Sequence, residues 1–222
     1  MAATIAATTG PKVPQKRAKR KKIPDYLIKE VLDGIPIYYK GYRDVLTGKK
    51  TLQDIMGSSG LQSVIVSTLH AFLFTFLRKK YWVLTNEPGN NLELRNNVSY
   101  DISIYDKAVL TADKFNRHYL KLPPKVFIEV DIEFEVEEHS LSEFEYLQRK
   151  TQNLLNRGTE RVIWFFTATQ KVMVCENGKD WFMSGWDKTI EVVDGAMVNL
   201  VELMKEEGIN LDLLSGGSDA PR

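Results

Sequence analysis

Val126-Phe127-Ile128-Glu129-Val130-Asp131-Ile132-Glu133-Phe134 reads as a β-strand that carries acid into an apolar setting. Successive side chains of a strand point to opposite faces. Val126, Ile128, Val130, Ile132 and Phe134 therefore share one face, and Glu129 and Asp131 share the other, about 7 Å apart. The strand is predicted to run over residues 126–136, with Glu133, Glu135 and Glu137 continuing the acidic face as a wetted distal half. Glu129 differs from these, because it sits inside the apolar run beside Phe127.

Working upstream, Val98, Tyr100, Ile102 and Ile104 alternate with Ser99, Asp101, Ser103 and Tyr105. That alternation predicts a second strand with Asp101 in its middle. Such an acid either faces solvent at a sheet edge or meets Glu129 on a neighbouring strand. In the second case the two could share Mg²⁺, a hard ion that takes oxygen ligands and keeps several waters. Downstream, Ser140 and Glu143 match a capping box. They predict a helix over residues 140–156, ended by Gly158. Phe144, Leu147, Thr151, Leu154 and Leu155 form its apolar stripe, and Lys150 falls on the border, roughly 100° from the stripe's centre. A border lysine either snorkels to water or leans over the sheet toward the two carboxylates. There it would orient an attacking water and offset charge on a phosphoryl group.

The remaining chain predicts a helix over residues 24–32 stopped by Asp33-Gly34, then a strand at Ile35–Tyr39 and an extended piece at Tyr42–Leu46. Gly57-Ser58-Ser59-Gly60 opens a long helix reaching about residue 79. Extended segments at 81–85, 92–94 and 98–105 surround the turn composition Pro88-Gly89-Asn90-Asn91, and residues 106–124 are irregular. Strands at 161–167, Lys171–Glu176 and 181–184 form a meander. Asp194-Gly195 starts a last helix reaching about residue 207. Helices and strands mix along the chain, which makes the fold class α/β or α+β.

Composition narrows the classes. Hydrophobic residues at 43% and charged residues at 27% allow a globular domain with a proper core. The single Cys175 excludes an internal disulfide and any Cys-rich zinc module, so a reducing cytoplasm is the default compartment. His70, His118 and His139 lack metal-ligand spacing. Trp164, Trp181 and Trp186 suit core positions better than base stacking. The apolar residues 64–77 contain Ser67, Thr68, His70 and Thr75 and read as a buried helix rather than a membrane span.

Charge is asymmetric: residues 1–22 hold seven Lys/Arg and no acid, leaving 23 basic against 29 acidic side chains elsewhere, a net of −6. Residues 1–22 are expected to form a disordered basic arm. Lys16, Arg17, Lys19, Arg20, Lys21 and Lys22 could bind nucleic-acid phosphates through counterion release, or simply aid solubility. Residues 23–210 form the expected domain, and 211–222 a flexible tail.

The segment between residues 91 and 174 resembles the large bacterial family of restriction endonuclease-like proteins with the PD-(D/E)xK nuclease fold. The matching stretches are Leu92-Glu93-Leu94, Tyr100-Asp101-Ile102-Ser103, Phe127-Ile128-Glu129-Val130, Lys150 with Leu154-Leu155 and Gly158, and Val162-Ile163-Trp164. Glu30 with Asp33-Gly34, and Gly57-Ser58-Ser59 with Leu61-Gln62, resemble the family's opening elements, so the likeness spans most of residues 25–205. It implies a restriction endonuclease-like mixed β-sheet flanked by helices, with Mg²⁺ or Mn²⁺ held by Asp101, Glu129 and the carbonyl of Val130. It further implies that Lys150 is the motif lysine moved onto the helix, with Glu30, Gln62 and Asp131 as accessory polar positions. Two positions depart from the pattern: Tyr100 stands where proline is usual, and Asp131 where the compact motif has its lysine.

The implied activity is metal-dependent hydrolysis of DNA phosphodiester bonds, with no nucleotide cofactor and no membrane, in a homodimer that pairs two sites. Two other classes stay open: a non-catalytic DNA-binding or assembly module, and a hydrolase of another phosphoester. The second is weakened by the absence of a glycine-rich phosphate loop.

Overall fold

Asp33 and Gly34 both adopt positive φ, 52° and 79°, the conformation of a two-residue turn whose twist matches a β-hairpin. They join strand β1 (Ile28–Leu32) to β2 (Ile35–Tyr39). The expected helix over residues 24–32 is thus only a single 3-10 turn, Asp25–Leu27, followed by a strand. Asp194-Gly195 does the same at φ 47° and 76°, linking β12 (Ile190–Val193) to β13 (Ala196–Val198) rather than opening a helix. The last helix, α4 (Leu200–Glu206), starts beyond that hairpin with Asn199 as its cap. Tyr42–Leu46, expected to be extended, is the short helix α1.

The computed structural model describes residues 22–86, 90–93, 96–98, 100–131, 134–135 and 141–211. Lys16, Arg17, Lys19, Arg20 and Lys21 lie outside the described residues, as do Ser140, His139 and the proposed tail from residue 212. Lys22 is described, and its ammonium is 3.2 Å from Asp25 on the surface.

The architecture is mixed α+β. A six-stranded sheet has the order β11-β10-β9-β7-β6-β3. Its members are β3 (Tyr81–Leu84), β6 (Ile102–Asp106), β7 (Val126–Val130), β9 (Arg161–Phe166), β10 (Lys171–Glu176) and β11 (Phe182–Gly185). All neighbours are antiparallel except the central pair β7 and β9. A parallel pair needs a crossover connection, and helix α3 (Glu143–Asn156) lies in it. A second sheet joins β4 (Asn90–Glu93) and β5 (Asn96–Val98) to β1 and β2, with β8 (Phe134–Glu135) on the far side.

Alternation along the central strands builds two cores. Val126, Ile128, Val130, Ile163 and Phe165 face α2 (Gly60–Leu77), whose Ile65, Leu69, Leu73 and Leu77 are buried against them. By length and composition α2 is also long and apolar enough to cross a membrane, and it presents Val64, Phe74 and Phe76 outward. On the other face, Phe127, Val162 and Trp164 meet α3 and the β1–β2 hairpin.

The cap of helix α3 lies two residues later than expected, at Ser142 rather than Ser140. Ser142 and Glu145 form the capping box: the Ser142 Oγ accepts from the Glu145 backbone, and Glu145 accepts from the Ser142 backbone at 2.8 Å. Both Ser-x-x-Glu pairs fit the motif, and tertiary packing selects the second. Leu141, just before the cap, and Tyr146, four residues after it, are both buried in the same core, the pattern of a hydrophobic staple. This phase exposes Phe144 and turns Tyr146 and Lys150 inward, so Lys150 is not at a stripe border but 1% exposed. Gly158 ends the helix at φ 105° as expected. Replacing Ser142 by Ala should lower unfolding stability by about 1 kcal/mol, read as a reduced denaturant midpoint with unchanged slope. An unchanged midpoint would remove the capping role.

Candidate functional site

The site forms where β7 ends. Strand β6 starts at Ile102, opposite Ile128, so Asp101 is not mid-strand as expected but stands just before the ladder begins. Its carboxylate takes over where the ladder stops: Oδ2 accepts the Val130 N–H at 2.7 Å. The Val130 carbonyl in turn accepts from the Gln62 side-chain amide at 2.9 Å. Gln62 is held in the first turn of α2, whose cap Ser59 accepts the Gln62 backbone N–H at 3.1 Å. Two distant segments therefore converge on one residue.

Glu129 points to the other face of β7, toward α3. Lys150 Nζ lies 3.5 Å from Glu129 Oε1, 3.1 Å from Glu30 Oε2 and 3.0 Å from the Tyr146 hydroxyl. The Tyr146 hydroxyl also donates to Glu30. The rings of Phe127, Tyr146 and Trp164 surround the ammonium at 5.4, 5.5 and 5.7 Å, distances at which aromatic faces attract a cation. Thr151, next in the helix, ties α3 to β9 by accepting from the Trp164 indole at 2.9 Å.

Asp101, Glu129, Lys150, Glu30, Gln62 and the Val130 backbone thus come together. Asp131 does not. It leaves the strand at φ 68°, and its two carboxylate oxygens accept from the Thr167 backbone and hydroxyl at 2.7 and 2.6 Å. Asp tolerates this left-handed conformation better than most residues, so the expected sharing of one face by Glu129 and Asp131 fails at the end of β7. Sequence reasoning missed Tyr146 and Lys29. A tyrosine one helical turn before a lysine is a usable signal for the first.

An open cleft above the site is lined by Lys29, Lys40, Ser58, Gln62, Asp101 and Glu129, among others. Burial pushes the Glu129 carboxyl up to about 8, with Lys150 pulling it down and Asp101 pushing it further up. Asp101 is also raised by burial, against the Val130 N–H bond. Burial alone would depress Lys150, but Glu129 and Glu30 outweigh it and hold its pKa well above the ordinary lysine value.

Among the described residues, no group of three or more His, Cys, Asp or Glu side chains is placed to hold a metal. The donor set for a hard cation is instead two carboxylates plus the Val130 carbonyl, which suits Mg²⁺ because that ion keeps several waters. Two buried acceptor oxygens here, Glu129 Oε2 and Gln62 Oε1, have no hydrogen-bond donor. Oxygen atoms so placed fit a cation.

No family model matches the chain, and no curated protein matches it. Among solved structures it is similar to a protein from Anabaena variabilis ATCC 29413 described as "a putative nuclease belonging to DUF820", at 14% identity and a TM-score of 0.48. The match covers 71% of this chain and 82% of that chain.

The raised Glu129 has a measurable consequence. The folded protein holds a proton that the unfolded carboxyl, with its pKa near 4.5, gives up. The resulting stabilisation is fully present below the unfolded pKa and is lost as pH rises through about 8. In EDTA-treated protein, the melting temperature of wild type should therefore fall relative to Glu129→Gln between about pH 5 and about pH 9. Parallel melting profiles over that span would show that Glu129 carries no such shift.

Proposed function

We propose that the chain is a metal-dependent endonuclease that hydrolyses DNA phosphodiester bonds at the end of β7. The observation that carries this reading is the pair of donorless buried oxygens, on Glu129 and Gln62, beside Asp101 and an open cleft. Asp101, Glu129 and the Val130 carbonyl would hold Mg²⁺ or Mn²⁺. A cation so bound supplies Lewis acidity, lowering the pKa of its water and polarising the phosphate.

The chain's own residues do the rest. Val130 donates to Asp101 and accepts from Gln62, so the residue next to Glu129 holds the Asp101 carboxylate and the Gln62 amide at the end of β7. Lys150 works from behind Glu129, orienting that carboxylate and offsetting negative charge carried by the phosphoryl and leaving oxygens, the kind of preorganised electrostatics that contributes most to such reactions. Hydrolysis adds the water oxygen to phosphorus and breaks the bond to the leaving sugar oxygen. That oxygen takes up a proton, leaving a phosphomonoester and a hydroxyl. The basic residues Lys16, Arg17, Lys19, Arg20, Lys21 and Lys22 would add phosphate contacts that offset the acidic body.

Plasmid DNA supplied with Mg²⁺ or Mn²⁺ should be cleaved by the full chain. Asp101→Asn and Glu129→Gln keep size and an acceptor oxygen while removing charge. Each should slow cleavage by roughly two orders of magnitude, the scale on which one preorganised electrostatic group acts. Cleavage undiminished in both variants, or none by wild type with either metal, would sink the assignment. DNA binding without cleavage would favour the non-catalytic module.

A further inference from the structure

Lys150 is sealed: its side chain is 1% exposed, and its ammonium is enclosed by Glu30, Tyr146, Glu129 and three aromatic rings. Such a group can set the charge of the site, but it has no path to a phosphate lying in the cleft. An incoming phosphodiester carries a negative charge into a site whose three carboxylates, Glu30, Asp101 and Glu129, outnumber Lys150. Even with a divalent cation offsetting the acids, a side-chain cation on the open side would hold the phosphate that the metal does not reach.

Strand β1 provides one. Ile28 pairs with Tyr38, but Glu30 pairs with Ile37, so two steps along β1 are matched by a single step along β2. Lys29 is the extra residue of a β-bulge. Strict alternation would put Lys29 and Glu30 on opposite faces; a bulge breaks it and re-aims a side chain, a device common beside active sites. Glu30 runs inward to Lys150, at 3% exposure. Lys29, half-buried, lines the cleft together with Gln62, Asp101 and Glu129. Lys40 also borders the cleft, but it is exposed, whereas Lys29 is half-buried beside the acids.

We propose that Lys29, turned into the cleft by the β-bulge it forms, is the cation that contacts the phosphate of the bound DNA strand, leaving Lys150 as a positioning charge behind Glu129. The proposal rests on the endonuclease reading for its substrate class, and it assigns a role that the sequence pattern gave to Lys150 alone.

Three measurements on the full chain test it, each comparing wild type with Lys29→Ala and Lys29→Arg. The first is Mn²⁺ affinity by calorimetry. The second is affinity for a short DNA duplex over a range of salt, with Ca²⁺ replacing the active metal. The third is plasmid cleavage with Mn²⁺. Loss of one phosphate contact should reduce the salt slope of the Lys29→Ala variant by about 0.9, with cleavage slowed by roughly 10-fold to 100-fold and partly restored in Lys29→Arg. Mn²⁺ affinity should stay the same or tighten, because a neighbouring positive charge has gone. A residue with a merely structural role would weaken metal and DNA binding together.

Unchanged salt slope and unchanged cleavage in Lys29→Ala would overturn the proposal, as would a joint loss of metal and DNA binding. If wild type binds DNA with a slope that Lys29→Ala reduces, yet cleaves with neither metal, the nuclease reading fails while the Lys29 contact stands. If wild type neither binds nor cleaves, both fall.

Discussion

A lysine ammonium buried to 1% exposure is costly, because removal from water takes several kcal/mol from an ion even after the protein relaxes. At Lys150 the loss is offset by charge and geometry drawn from three separate parts of the chain. Glu30 comes from β1 in the second sheet, Glu129 from β7 in the first, and Tyr146 from α3 itself. Withdrawing one carboxylate leaves an uncompensated buried charge, a change on the order of 3–5 kcal/mol. The cluster therefore fixes how the hairpin, the helix and the central sheet meet, since only one packing brings all four side chains together. Apolar burial holds the layers against each other but would tolerate a small slide; the ion cluster does not.

The same constraint gives the site its geometry. With Glu129 Oε1 committed to Lys150, its other oxygen remains without a donor near the cleft. One residue on, Val130 lies past the end of the β6–β7 ladder, and its N–H and carbonyl both need partners. Asp101 accepts from the N–H, and Gln62 donates to the carbonyl. A side-chain carboxylate thus substitutes for the next backbone group of β6, which explains why β6 begins only at Ile102. Structural necessity and the gathering of oxygen donors coincide at this point: the groups that terminate the strand are the ones a cation would use.

Much of this was legible in the sequence, and the failures have physical causes. The meander strands at residues 161–166 and 171–176 are legible as continuous apolar runs, because both faces of the sheet are covered there, and the strand around Glu129 is legible from its alternating acids. Two Asp-Gly pairs were read as helix punctuation although β-branched residues flank them, Val31 and Ile35 in one case, Val193 in the other. With Asp and Gly both at positive φ, such a pair is a hairpin turn, which puts a strand in place of the first expected helix and moves the start of the last one to Leu200. Asp101, Glu129 and Lys150 were recognisable by residue type and order. Their contacts were not, because the phase of α3 depended on choosing between Ser140 and Ser142 as cap, and packing of Leu141 and Tyr146 made that choice. Asp131 satisfied the period-2 pattern on paper. What the pattern could not contain was the backbone leaving the strand immediately after Val130, which sends the Asp131 carboxylate to Thr167.

Lys29 was invisible for a related reason. Periodicity assumes an uninterrupted ladder, and a bulge is a one-residue fault in that ladder set by the partner strand. Without the fault, Lys29 and Glu30 would part to opposite faces and the cleft would keep only the exposed Lys40 at its border as a cation. With it, adjacent residues of opposite charge converge on Glu129, one from the interior and one from the cleft. Counted as ionised, Glu30, Asp101 and Glu129 against Lys29 and Lys150 leave a net charge of −1. That balance can admit a divalent cation without expelling an anionic phosphate, whereas three acids facing Lys150 alone would favour the cation and repel the substrate more strongly. The division between a sealed ammonium that orients and a half-exposed one that can reach outward follows from where β1 gains its extra residue.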